Sequence, residues 1–233
     1  MRSLRFALAA AAMIATTAFA TPADPKNGAE YRTLPTAQPT QAVGKKVEVI
    51  EFFAYHCPHC YVIEGPVAAW AKKHKDDVTF KRIAFPFRGP SDAEAHLWLT
   101  LDAMGKAEEM SPRVFNANHV ERARLDNDEA ILAWVAKKSG LDNAKFLEFW
   151  NSFGVLTKLK RLPQLVEAYK LDGTPAFVVD GRLVTSPSIV TMANPGTERQ
   201  AAEVTMATLD ALVAKVLKEK GYAGAAPAKT AAK

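Results

Sequence analysis

The sequence predicts an α/β protein in which a block of helices interrupts a strand–helix–strand unit. Three observations predict it. Val47–Ala54 and Val78–Phe85 are apolar, strand-like runs on either side of a helical stretch, the order of a right-handed parallel unit. From Ser91 to about Ala168 strand signals vanish, and apolar residues recur at helical spacing. Strand signals return only at Ala176–Val179 and Arg182–Val184, before one last helical pattern.

Residues 1–20 have the layout of a cleaved export signal. Arg2 and Arg5 give a basic start, Phe6–Ala15 is apolar, and Ala18-Phe19-Ala20 is a small-residue cleavage site. The apolar part is short for a membrane span; a retained anchor is the alternative reading. Residues 21–44, rich in Pro, Thr, Ala and Gly, form a lead-in in which Tyr31–Leu34 is a candidate edge strand. The nearly continuous apolar character of Val47–Ala54 suits a strand buried on both faces. In the helix over 58–74, Val62, Pro66, Ala69 and Trp70 are spaced to face a core, and Lys72, Lys73 and Lys75 suit the negative end of the dipole.

Within the helical block, Leu97, Leu101 and Met104 share one face, as do Ile131, Leu132 and Val135, then Phe146, Phe149 and Trp150, then Leu162, Leu165 and Val166. Ser91 with Glu94 reads as a capping box, and Ser111-Pro112 as a helix opening. Asp180-Gly181 predicts a hairpin turn. The last helix runs through Leu209, Leu212, Val213, Val216 and Leu217, with Gly221 as its stop. The organisation expected is a discontinuous domain, 45–88 with 169–221, an inserted helical domain over 89–168, and a disordered tail over 222–233.

Charge excludes little. The formal net charge of +5 falls to +3 once Arg2 and Arg5 are removed with the signal. The basic cluster Lys158, Lys160 and Arg161 reads as a solvated helix face, and nothing indicates nucleic-acid binding. Trp70, Trp98, Trp134 and Trp150 sit at helical spacings and read as core; His74, His96 and His119 lack catalytic companions.

Chemistry is concentrated in His56-Cys57-Pro58-His59-Cys60, which holds both cysteines of the chain. The stretch lies where a strand gives way to a helix, so unpaired N–H groups and the helix dipole favour a thiolate at Cys57. His59, when protonated, adds positive charge close by; Pro58 at the first helical position loses no hydrogen bond. Cys60, one turn further in, is the buried, resolving partner of an exposed Cys57. A disulfide closing so short a loop is a weak staple, which favours redox chemistry over a structural role. A metal site would need a second ligand pair, and the chain has no further cysteines. Covalent haem needs His after the second Cys, where Tyr61 stands. Glu51 is a carboxylate in an otherwise apolar strand, paired with Lys81 or Arg82 if it is buried; a solvated edge position is the alternative. His56 either modulates the site or packs beside it.

Glu51-Phe52-Phe53, Cys57-Pro58-His59-Cys60-Tyr61, Trp150-Asn151-Ser152-Phe153 and Gly173-Thr174-Pro175-Ala176-Phe177, spread over roughly Tyr31 to Gly221, resemble the DsbA family of periplasmic oxidases. The resemblance implies a thioredoxin-like fold with an inserted helical domain. It implies Cys57 as nucleophile, Cys60 as resolving thiol, Glu51 as proton exchanger for the buried cysteine, and a cis Pro175 facing the pair, with the Thr174 backbone holding substrate in an extended pose. Thr174 departs from the aliphatic residue of well-studied members and is also seen in isomerase relatives. The activity implied is a protein dithiol oxidase that gives its Cys57–Cys60 disulfide to newly exported proteins. It needs no cofactor beyond that disulfide and no metal. The partners implied are unfolded exported chains and a DsbB-like, quinone-linked membrane oxidase, with the enzyme a periplasmic monomer. An isomerase or reductase on the same fold is the alternative, although residues 21–44 are too few for the dimerisation domain of isomerase relatives. A periplasmic chaperone or binding module is the non-enzymatic one.

Overall fold

The computed structural model describes residues 24–222; the segment expected to be an export signal, residues 1–20, and most of the expected tail, residues 223–233, lie outside the described residues. Five strands form one mixed sheet in the order β1-β5-β4-β2-β3. At its centre β2 (Val47–Phe53) runs parallel to β3 (Val78–Ala84) and antiparallel to β4 (Ala176–Val179). β4 and β5 (Leu183–Thr185) make the hairpin, and the short β1 (Arg32–Thr33) adds to its outer edge. All seven residues of β2 are buried. Alternate side chains go to opposite faces: Val47 and Val49 join one apolar cluster with Phe177 and Val179, whereas Ile50 and Phe52 join another with Ala176 and Val178.

Helix α1 (Pro58–Lys73) and the C-terminal α8 (Glu198–Glu219) cover the first face, where Ile63, Val67 and Trp70 meet Leu209, Leu212, Val213 and Val216. The core stripe of α1 is Cys60, Ile63, Val67 and Trp70, not the one through Val62, Pro66 and Ala69, which are all exposed. Cys60 sets this phase: turned inward, it brings Ile63 and Val67 under it one and two turns on.

Between β3 and β4 the chain forms α2 (Ala93–Ala103), α3 (Ala107–His119), α4 (Asp128–Trp134), α5 (Asn143–Trp150) and α6 (Phe153–Ala168). Their shared core includes Leu97, Trp98, Leu101, Phe115, Ile131 and Phe146. Two helix starts differ from expectation. Asp92, not Ser91, caps α2, accepting the Ala95 N–H at 2.8 Å, which frees Glu94 for other work. Helix α3 begins at Ala107, one turn before Ser111, so Pro112 lies inside it; only the single bond that its N–H would give to the Glu108 carbonyl is lost. A π-helical turn, Val135–Ser139, follows α4. The hairpin turn places Asp180 and Gly181 at positive φ (52° and 65°), with the strand resuming at Leu183 rather than Arg182. Helix α7 (Pro187–Ala193) had no sequence expectation attached to it. Among the described residues no helix is long and apolar enough to cross a membrane.

Candidate active site

As β2 leaves the sheet, residues 54–57 turn into α1, and the Cys57 N–H closes the turn on the Ala54 carbonyl at 3.2 Å. Cys57 is the N-cap of α1, where its Sγ accepts the Cys60 N–H at 3.4 Å, and Pro58 occupies the first turn. Both cysteines are free thiols, so the structure is the dithiol form. Cys60 is 1% exposed and Cys57, expected to be exposed, only 6%. The loop at Thr174 lies against Cys57, whose thiol donates to the Thr174 carbonyl at 3.4 Å. The Thr174–Pro175 peptide bond is cis.

The two thiols are driven apart in acidity. The Cys60 thiol is the largest influence holding Cys57 down to about 5, against the opposing effect of burial; the Thr174 side chain and the backbone N–H groups of Cys60 and His59 add to it. Burial pushes Cys60 up, and the neighbouring Cys57 thiol adds to the rise. The contribution of His59 to the sulfur is thus its backbone N–H; its imidazole Nδ1 pairs with Glu198 at 2.5 Å on the surface.

Six residues before Cys57, Glu51 is buried and paired with Arg82, its register partner on β3, at 2.7 Å. Lys81 points elsewhere, to Glu48 at 2.6 Å. The Arg82 guanidinium is shared with Glu64 at 2.9 Å and Glu108 at 3.3 Å. Burial pushes Glu51 up to about 7, with Arg82 opposing it.

The DSBA-like thioredoxin domain family matches residues 48–201, spanning this strand, both cysteines, the helical block and the Thr174–Pro175 loop. The chain belongs to the DsbA family. It is 43% identical to the thiol:disulfide interchange protein DsbA of Bordetella parapertussis over 180 residues, 77% of this chain and 85% of that one. Against the DsbA of Burkholderia cepacia the identity is 36% over 86% of this chain and 90% of the relative. Among solved structures, Pseudomonas aeruginosa DsbA superposes with a TM-score of 0.75 at 32% identity, covering 86% of this chain and 98% of that one. The fold is therefore the thioredoxin-like α/β fold of the DsbA family.

Within this DsbA-family site the structure adds residues that sequence reasoning passed over. Glu94, almost buried at the start of α2, accepts both the His56 backbone N–H at 3.0 Å and a hydrogen bond with His56 Nδ1 at 2.5 Å, and takes a third from Asn118 at 2.7 Å. The bond to Glu94 raises the His56 pKa, against partial burial. His119 binds the Tyr55 carbonyl through Nε2 at 2.8 Å and stacks on Tyr61 at 4.7 Å. The other histidines are remote: His74 pairs with Asp210, and His96 stacks on Trp150. In the sequence Glu94 reads only as half of a capping box with Ser91, His119 as a histidine without companions, and Asn118 carries no motif; their distance-spanning contacts place them at the site. A groove of about 400 Å³ beside Cys57 is lined by His59, Thr174, Pro175, Pro187, Met192 and Glu198. Among the described residues no three His, Cys, Asp or Glu side chains are placed to share a metal ion.

Proposed function

We propose that the chain is a thiol:disulfide oxidoreductase working as a dithiol oxidase, with Cys57 as nucleophile and Cys60 as resolving thiol. The divergent acidity of the two thiols carries the reading: Cys57 is held down to about 5 while Cys60 is driven up. A thiolate stabilised in the reduced form makes Cys57 a good leaving group and makes its disulfide oxidising. In the forward reaction a substrate thiolate attacks Cys57 Sγ of the Cys57–Cys60 disulfide. The new S–S bond forms as the old one breaks, and Cys60 leaves and takes up a proton. A second substrate thiolate then attacks the substrate sulfur of the mixed disulfide. Substrate leaves oxidised, and the enzyme is left as the dithiol.

Pro58 opens the helix without an unmet N–H, and the His59 backbone stabilises the thiolate. Glu51, titrating near neutrality under Arg82, exchanges the proton of Cys60. The Thr174 backbone at Pro175 aligns an extended substrate over the groove. The substrates are unfolded polypeptides exported with the enzyme, whose own signal is residues 1–20, and the compartment is the periplasm. A DsbB-like membrane oxidase takes the two electrons back to quinone. The protein acts as a monomer without metal or added cofactor, built from residues 45–88 with 169–221 around the inserted 89–168.

The test is the redox equilibrium of the mature protein with glutathione, read by tryptophan fluorescence. A potential near about −120 mV, the value for DsbA, is expected. One near about −270 mV, the value for thioredoxin, would reverse the assigned direction and make the protein a reductase.

A further inference from the structure

A second cavity, of about 340 Å³ and sharing no residue with the groove at Thr174–Pro175, opens between His56 and the segment that joins α3 to α4. Its walls include three carboxylates, and each is already engaged. Glu94 holds His56 and Asn118. Asp92 accepts the N–H groups of Ala95 at 2.8 Å and Arg88 at 3.1 Å. Asp126 faces the Arg124 guanidinium at 3.4 Å and Asn127 at 3.0 Å. The cationic side is less committed. Arg88 donates to the Asp126 carbonyl, but exposed Arg122 has no ion pair among the described residues, where Glu121 and Arg124 of the same segment do. With Nδ1 fixed on Glu94, His56 has Nε2 left over for a ligand.

The backbone gives an independent observation. Arg122 and Arg124 have φ of 55° and 45°, the left-handed region that L-residues enter at a steric cost and that Gly or Asn would relieve. Two arginines stand there instead, both lining the cavity. Strain held at long cationic side chains that share a cavity with His56, the residue before the reactive thiol, points to a use for those side chains.

We propose that this cavity is an anion subsite which receives a carboxylate side chain of the substrate polypeptide close to its reacting cysteine, with Arg122 and His56 as its ligands. His56 directly precedes Cys57, so a carboxylate seated here belongs to a residue within a few positions of the substrate cysteine. Guanidinium and imidazolium both give charge-assisted hydrogen bonds to carboxylate. The proposal rests on the reading of the chain as a disulfide donor to polypeptides.

The test uses the oxidised mature protein and three dithiol peptides that differ only in one residue next to the cysteine: Glu, Gln or Lys. Stopped-flow tryptophan fluorescence gives a second-order rate constant for each. The Glu peptide should react about five-fold faster than the Gln peptide at low salt, the span of a partly exposed ion pair, and the advantage should shrink in high salt. Arg122→Gln should bring the ratio close to one, Arg122→Lys should keep most of it, and Arg122→Glu should turn the preference to the Lys peptide. Equal rates on the Glu and Gln peptides in the wild-type protein, or a ratio unmoved by Arg122→Gln, would overturn the subsite while leaving the disulfide donor intact. If none of the peptides were oxidised, the donor reading itself would fall, and the subsite with it.

Discussion

At the scale of single residues the site comes down to one sulfur and what surrounds it. Cys57 sits where helix α1 begins, and neighbouring donors lower its pKa to about 5 despite its cover. Replacing Cys57 with Ser should abolish disulfide transfer to a peptide dithiol. Replacing Cys60 with Ser should leave Cys57 reactive but without its partner. Offered a symmetric peptide disulfide, Cys57 attacks it and one peptide leaves as its thiolate. The other stays as a mixed disulfide that no second enzyme thiol can displace, seen by mass spectrometry under non-reducing conditions. If the Cys60→Ser protein formed no adduct, the assignment of nucleophile would be wrong. The ionisation itself is open to a second measurement. Above about pH 5, reduction of the disulfide takes up one proton, because Cys57 stays a thiolate; below it, reduction takes up two. The potential should then change by about 30 mV per pH unit above pH 5 and about 59 mV per unit below it. A single slope of about 59 mV per unit from pH 4 to 8 would show that Cys57 is an ordinary thiol.

At the scale of elements, β2 and β3 lay Glu51 beside Arg82 within the sheet, and three carboxylates converge on that one guanidinium. Arg82→Met should cost about 3–5 kcal/mol, because it leaves Glu51 buried without its cation. The pH dependence follows from the direction of the shift. Burial raises Glu51 above its ordinary 4.5 to about 7, so its neutral form is favoured by folding and stability declines as pH rises through that range. Without Arg82 the carboxyl rises further, and urea unfolding should show a larger loss at pH 8 than at pH 5. An equal loss at both would detach the effect from Glu51. Elements with long, regular patterns were legible in the sequence: β2 from its apolar run, the hairpin from Asp180-Gly181, and α8 from Leu209, Leu212, Val213 and Val216. Helix α7 was not, since seven residues show too little periodicity, although Ser186-Pro187 marks its start and the Ser186 hydroxyl accepts the Ile189 N–H at 3.1 Å. The inward phase of α1 and the grip of Glu94 on His56 were also hidden, because both are decided by contacts with distant segments. Cys57 and Cys60 stood out as the only cysteines in the chain; the neighbours that tune them did not.

At the scale of the whole molecule, the active-site turn is built into the helical core rather than laid on its surface: Phe53, Tyr55, Cys57 and Cys60 share one apolar cluster with Trp98 and Phe115. Folding therefore fixes the donors around Cys57, and the free energy of that thiolate becomes part of the stability of the reduced protein. In most proteins a disulfide stabilises by restricting the unfolded chain, but a loop as short as Cys57–Cys60 restricts little. Forming the disulfide also removes the hydrogen-bonded thiolate. The oxidised protein should thus unfold at lower urea than the reduced one at pH 7, reversing the usual order. The sign with pH follows from the depressed value. A thiol lowered from its ordinary 9.0 to about 5 in the folded state contributes stability that is complete above pH 9 and lost as pH falls through about 5. The difference between the two urea midpoints should accordingly narrow from pH 8 to pH 4. Trp70, Trp98, Trp134 and Trp150 are all buried, so their fluorescence reports the unfolding of either form. An oxidised protein that outlasts the reduced one at pH 7, or a difference that does not change with pH, would mean that the Cys57 thiolate does not set the redox balance.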